Sequence, residues 1–98
     1  MPLLVWVMEQ KTYLVTGASK GIGRSIAHTL AEDGIQVILL SRQSDELQMA
    51  CDSVQSISPT SFSVACDLSD SDSIKQAIGD LIETPSLDGI VHNAGAIA

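Results

Sequence analysis

Aromatic side chains are nearly absent from this chain: Trp6, Tyr13 and Phe62 are the only ones, 3% of the residues. Platforms on which nucleic-acid bases could stack are therefore missing. Basic residues are scarce as well. Five Lys and Arg stand against twelve Asp and Glu, a formal net charge of −7, which excludes the clustered positive surface that a phosphate backbone demands. The two cysteines, Cys51 and Cys66, form no C-x-x-C pair and imply no disulfide framework. Buried free thiols in a reducing compartment, and so a cytoplasmic location, are expected. His28 and His92 have no partner at metal-ligand spacing, and no metal is expected. The N-terminal apolar run Leu3-Leu4-Val5-Trp6-Val7-Met8 is far shorter than the roughly 20 residues that span a membrane. It also lacks the basic leader and small-residue cleavage site of a signal peptide.

What is present makes one small globular domain of 98 residues, 45% of them hydrophobic. Met8-Glu9-Gln10-Lys11 directly before the first strand pattern reads as a natural start, with residues 1–7 upstream of it. Residues 1–10 are expected to form an N-terminal extension, and residues 11–98 the domain. The chain is organised around Thr12 to Arg24. Thr12-Tyr13-Leu14-Val15-Thr16 has the composition of a short buried strand. Gly17-Ala18-Ser19-Lys20-Gly21-Ile22-Gly23 then puts three glycines within seven positions, and a helical pattern follows at once. A strand, a glycine turn and a helix N-terminus in that order form an anion site. The first helical N–H groups point outward, the helix dipole favours negative charge, and glycines let phosphates approach the backbone. A dinucleotide pyrophosphate is the expected guest. The spacing is G-x-x-x-G-x-G rather than the commoner G-x-G-x-x-G, and it is not a Walker A loop because Gly21 follows Lys20.

Downstream, Ile22, Ile26, Leu30 and Ala31 recur at helical spacing and predict an apolar stripe against a sheet, with Gly34 as a left-handed stop and His28 on the solvated side. Gln36 to Leu40 reads as a strand covered on both faces. Ser44 predicts the cap of a second helix, with Asp45 and Glu46 in its first turn, a buried stripe of Leu47, Ala50, Cys51, Val54 and Ile57, and Pro59 as its stop. Ser61 to Ala65 predicts a third strand. Asp67-Leu68-Ser69-Asp70-Ser71-Asp72 has the acid density of a calcium loop. Its sixth residue is Asp72 rather than glycine, however, and its twelfth is Ile78 rather than glutamate. Ser69 or Asp70 as a helix cap is the better account. Ile74, Ala77, Ile78, Leu81 and Ile82 give a third amphipathic helix, with Pro85 beyond its end, and Leu87 to His92 a fourth strand leading into Asn93-Ala94-Gly95. Four strands alternating with three helices predict an α/β fold, a Rossmann-type doubly wound parallel sheet of order 3-2-1-4. In that order Gly17 to Gly23 and Asn93 to Gly95 flank the point where strand order reverses, which is where such sheets bind ligands.

The pattern T-G-x-x-x-G-I-G at Thr16 to Gly23, with Asp67-Leu68 and His92-Asn93-Ala94-Gly95, resembles the short-chain dehydrogenase/reductase family over residues 11–96. The resemblance implies that Thr16, Gly17, Ser19, Lys20, Gly21, Ile22 and Gly23 wrap a cofactor pyrophosphate. It implies that Asp67 and Leu68 border the adenine, and that Asn93, Ala94 and Gly95 border the nicotinamide ribose. His92 departs from the family's N-N-A-G element at its first position. Ser41 stands where an NAD site carries an acid, and Arg42 follows with a planar charged fork suited to a 2′-phosphate. With Lys20 as the second cation, NADP(H) is expected over NAD(H).

The family's chemistry rests on a Tyr-x-x-x-Lys pair downstream of the fourth strand. Here the only tyrosine is Tyr13, in strand one, with Gly17 four positions on. No catalytic residue is therefore expected among these 98 residues, and the sheet is expected to be incomplete. Three readings fit: the cofactor half of an oxidoreductase acting on a small carbonyl or alcohol, a non-catalytic dinucleotide-binding module, or a truncated product without activity. The first is preferred, with the complete enzyme a homo-oligomer. The substrate is not legible.

Overall fold

Residues 10–82 and 87–93 are described in the computed structural model. The N-terminal apolar run, Pro85, Ala94 and Gly95, and the side chain of Ile82, lie outside the described residues. Seven elements follow in order: β1 (Thr12–Thr16), α1 (Gly21–Glu32), β2 (Gln36–Ser41), α2 (Asp45–Gln55), β3 (Phe62–Ala65), α3 (Ser71–Ile82) and β4 (Gly89–His92). The four strands form one parallel sheet of order β3-β2-β1-β4, the order read from the sequence. Strands β3 and β4 are shorter at their starts than the apolar pattern predicts, because Ser61 and Leu87 fall in the turns that lead into them.

Side chains alternate across the sheet and build two cores. Val15, Val37 and Leu39 point to one face, where Ala27 and Ala31 of α1 and Leu47, Ala50 and Val54 of α2 cover them. Leu14, Ile38, Leu40 and Val64 point to the other, under Ile74, Ala77 and Leu81 of α3. Two helices thus cover one face and one helix the other. Strand β4 packs against β1 alone among the described elements. Its Ile90, opposite Leu14 in the register, is 63% exposed.

Local chemistry sets the helix ends. The Ser44 hydroxyl accepts the Leu47 N–H at 3.1 Å, capping α2, with Asp45 and Glu46 in its first turn. At α3 the cap is Asp70, whose carboxylate accepts the Asp72 N–H at 3.0 Å. Gly34, at φ +81°, turns the chain out of α1, donating to the Ala31 carbonyl at 3.0 Å. At the start of β4, Asp88 exchanges backbone and side-chain bonds of 2.8 Å with Thr12, which fixes the β4 register against β1.

Four expectations are corrected. Ile22 is 71% exposed rather than part of the buried stripe of α1. That stripe is Gly23, Ala27 and Ala31, small residues at i, i+4 and i+8 that let the helix sit close to the strands. Ile22 overhangs the end of the sheet in the first turn. Ile57 is exposed because α2 ends at Gln55, ahead of it, and Ile78 is exposed because α3 turns Ile74, Ala77 and Leu81 inward instead. His28 is half-buried rather than solvated, with its Nε2 3.0 Å from the Ser53 hydroxyl of α2.

Ile38 is fully buried in a central strand, whereas Ile78 is 53% exposed. In the complete protein, Ile38→Ala should cost about 2–5 kcal/mol in urea unfolding and Ile78→Ala less than about 0.5 kcal/mol. Equal losses would contradict the placement of these two side chains.

Candidate functional site

The two loops leaving β1 and β4 and the ends of β2 and β3 converge on a cleft of about 570 Å3 at the C-terminal edge of the sheet. It lies where strand order reverses. Of the residues the sequence singled out, Gly17, Ser19, Lys20, Gly21, Ile22, Ser41, Arg42, Asp67, Leu68 and Asn93 line it. Thr16 and Gly23 do not line the cleft but sit behind it, as its support. Ala94 and Gly95 lie outside the described residues. Three lining residues were missed: Leu40, Cys66 and Ser69. Leu40 and Cys66 read as core residues, and both are buried as well as lining the cleft floor. Ser69 offers only a helix-cap signal in the sequence.

The glycine loop takes its shape from two left-handed residues, Gly17 at φ +64° and Gly21 at φ +62°, a conformation other residues adopt only at a cost. It delivers the chain to α1 through Lys20, whose extended backbone occupies the cap position without a side-chain capping bond. No acidic residue stands in the first turn of α1. The contrast with α2 and α3 is chemical, because both have a capping oxygen and acids there. The N-terminus of α1 keeps its dipole and its outward N–H groups available to an anion.

Close packing holds this loop against β4. A Cβ on Gly23 would collide with the Gly17 carbonyl oxygen and stand 2.9 Å from Asn93 Nδ2. Asn93 Nδ2 donates to the same Gly17 carbonyl at 3.3 Å, and the Asn93 backbone N–H donates to Thr16 Oγ1 at 2.9 Å. Thr16 Oγ1 also lies 3.0 Å from His92 Nδ1. On the opposite wall the Ser41 hydroxyl donates to Ser19 Oγ at 3.1 Å, joining β2 to the glycine loop. Lys20 and Arg42 are exposed on the cleft.

Asp67 follows β3 and is held as a carboxylate. Ser69 donates to its Oδ1 through both hydroxyl (2.6 Å) and backbone N–H (2.9 Å), and its own N–H donates to Ser73 Oγ at 2.8 Å. The hydroxyl bond, then the backbone bond, hold its pKa below the ordinary aspartate value against a small opposing burial effect, and the Arg42 charge adds to them. Among the described residues no cluster of His, Cys, Asp or Glu suits a metal ion, and no helix is long and apolar enough to cross a membrane.

A parallel sheet of this order with an anion-ready cleft at its switch point defines a Rossmann-type ligand-binding domain. The family model for short chain dehydrogenase matches residues 11–98, and the chain belongs to that family. A curated relative, the 3-oxoacyl-[acyl-carrier-protein] reductase FabG of Staphylococcus aureus, is 37% identical over 87 residues, covering 87% of this chain and 35% of the relative. L-sorbose reductase from Gluconobacter frateurii, solved with NADPH and L-sorbose, superposes with a TM-score of 0.78 at 30% identity, over 88% of this chain and 34% of that one. An alcohol dehydrogenase from Thermococcus sibiricus, solved with 5-hydroxy-NADP, gives a TM-score of 0.73 at 28% identity, over 84% and 36% of the two chains. The chain thus spans about a third of the length of the curated relatives it matches.

Two outcomes are expected in the complete protein. Gly23→Ala should lower the unfolding temperature and weaken any ligand held by the loop, whereas Gly79→Ala, whose added Cβ meets nothing within 4 Å, should stabilise α3 by up to about 1 kcal/mol. A Gly23→Ala protein as stable as its parent would refute the close approach. Asp67, with its pKa lowered, contributes stability above the ordinary aspartate range that is lost as pH falls through the lowered value. Ser69→Ala should raise the Asp67 pKa in a carboxyl NMR titration and destabilise the protein at neutral pH but not below the folded pKa. An unmoved titration would show that the hydroxyl bond has no such role.

Proposed function

We propose that this chain is the cofactor-binding half of an NADP(H)-dependent oxidoreductase acting on a small carbonyl or alcohol. The observation that carries the proposal is the uncapped, acid-free N-terminus of α1 behind two left-handed glycines, with Lys20 and Arg42 on the same cleft. That donor set fits a pyrophosphate and one further phosphate. The backbone from Gly17 to Gly23 would receive the pyrophosphate, with Gly23 behind it letting α1 pack against the Gly17 carbonyl that a methyl would strike. Arg42, directly after the β2 end, would take the 2′-phosphate, with Lys20 as the second cation. Ser41, neutral and bonded to Ser19, offers no carboxylate to a ribose 2′-hydroxyl. Asp67 and Leu68 would border the adenine, and Asn93, with Ala94 and Gly95 after it, the nicotinamide ribose. The bound nicotinamide would supply or accept hydride.

Relatives support the reading, since the two solved structures named above hold NADPH or an NADP derivative. The domain would begin at residue 11, with residues 1–10 ahead of it, in a cytoplasmic homo-oligomer. Proton transfer to a substrate oxygen needs an acid positioned at that oxygen. Tyr13 is the chain's only tyrosine, and its ring packs against Gly89 at the opposite end of the β1–β4 pair from the cleft. These 98 residues are therefore proposed to bind cofactor without turning over substrate.

The test is cofactor preference in the complete protein. NADPH should bind about tenfold or more tighter than NADH, the size of one charge-assisted hydrogen bond to a phosphate. Arg42→Asp should reverse the order by replacing attraction with repulsion. Equal affinity of the parent for both cofactors would refute the role of Arg42, and binding of neither would refute the reading of the cleft.

A further inference from the structure

Strands β2 and β3 end side by side at the cleft. Ser41 pairs with Ala65 in the register, and the Cys66 N–H donates to the Ser41 carbonyl at 2.7 Å. Arg42, one residue past Ser41, and Asp67, one past Cys66, therefore leave the sheet as neighbours, and both line the cleft. Lys20 is the second cation there, and Asp67 is the only acid among the described lining residues. A carboxylate at this place opposes the anion that the rest of the cleft attracts.

The turn after β3 does not require that charge. Ser69 donates its hydroxyl and its backbone N–H to one oxygen, Asp67 Oδ1, at 2.6 and 2.9 Å. An asparagine carbonyl oxygen would accept both bonds equally. The Asp67 N–H, donated to Ser73 Oγ at 2.8 Å, belongs to the backbone and is indifferent to the side chain. These bonds fix where the carboxylate stands, and none of them uses Oδ2. The Arg42 charge favours the ionised form of Asp67. By reciprocity, the carboxylate offsets part of the attractive field around Arg42.

We propose that Asp67 is a specificity-determining residue of the cleft, whose fixed negative charge beside Arg42 limits the preference for a 2′-phosphate over a 2′-hydroxyl. The inference deepens the NADP(H) reading of the cleft and rests on it. NADPH and NADH differ only in that phosphate. A phosphate on Arg42 carries about two negative charges at neutral pH. It is attracted by Arg42 and Lys20 and repelled by Asp67. A hydroxyl at the same place is neutral and feels neither strongly. Whatever Asp67 gives the adenine is shared by both cofactors and cancels in the ratio of their affinities. The charge of Asp67 does not cancel. Because all these groups face solvent, its effect is small and sensitive to salt. Arg42 makes the preference, and Asp67 sets its size.

The experiment uses the complete protein with its Asp67→Asn, Asp67→Glu and Arg42→Gln variants. NADPH and NADH affinities are measured by fluorescence titration at neutral pH, in low salt and in about 0.5 M salt. Asp67→Asn should raise the NADPH-to-NADH affinity ratio about threefold in low salt, the scale of repulsion between exposed charges several ångströms apart in water. The gain should shrink in high salt. Asp67→Glu keeps the charge and should keep the parent's ratio, even where the altered turn weakens both cofactors. Without cofactor, Arg42→Gln should raise the Asp67 midpoint in a carboxyl NMR titration. An Asp67→Asn ratio at or below the parent's, a gain shared by Asp67→Glu, or an Asp67 titration indifferent to Arg42→Gln would each overturn the inference. A parent that prefers NADPH while Asp67→Asn leaves the ratio unmoved would refute this inference alone. A parent that binds neither cofactor would refute the dinucleotide reading beneath it as well.

Discussion

Gly23 has no side chain, and the volume a methyl group would need is taken by the Gly17 carbonyl and the Asn93 amide. Three separate parts of the chain meet there: the end of β1, the first turn of α1 and the residue after β4. Because the helix can descend so far, Ala27 and Ala31 reach the sheet directly and are almost fully buried. The same descent aims the α1 N-terminus along the cleft floor. Bulk at this one point would lift the helix, open the loop and loosen β4 together.

Charge is distributed to match. The chain has only five basic side chains against twelve acidic ones, yet two of the five, Lys20 and Arg42, are on the cleft. Four of the twelve acids, Asp45, Glu46, Asp70 and Asp72, stand at the N-termini of α2 and α3 and offset their dipoles, while one, Asp67, lines the cleft together with the two cations. The helix whose dipole is left uncompensated is the one that opens the cleft. An acidic protein can hold a locally attractive field for an anion in this way, because exposed charges more than a Debye length apart, about 10 Å at 0.1 M salt, are largely screened from one another.

Much of this was legible in the chain. Strand composition and the turn chemistry of Gly17, Gly34 and Ser44 are local properties, and they carried the element order and the caps. The strand order came from the match of the motifs to a known sheet, and the cleft followed from it. What escaped the sequence were properties of orientation. Ile22 and Ile78 satisfy helical spacing but fall where no layer lies above them, and periodicity does not report how far a covering element extends. The stripe that does pack on the sheet, Gly23-Ala27-Ala31, is too small-chained to register as apolar, although its smallness permits the approach. Cys66 and Leu40 read as core, and a residue at the last turn of a strand can be both core and cleft wall. The His28 contact with Ser53 joins two helices 25 residues apart, beyond any local pattern.

The register of β4 bears on how the chain comes together. From β1 to β3 every pairing links neighbours in sequence, such as Thr12 with Gln36, 24 residues apart. Strand β4 reaches back across the sheet to β1, and Asp88 meets Thr12 over 76 residues. Closing that longer loop costs about 1 kcal/mol more chain entropy than closing the shorter one. Among the described strands, β4 gains β1 alone as a neighbour. During synthesis, the β-α-β-α-β portion emerges first and carries the glycine loop, Arg42 and one complete helical layer, while the wall bearing Asn93 is added afterwards. The part of the cleft built from Gly17 to Arg42 thus precedes in the chain the Asn93 wall that closes against Gly17 and Gly23.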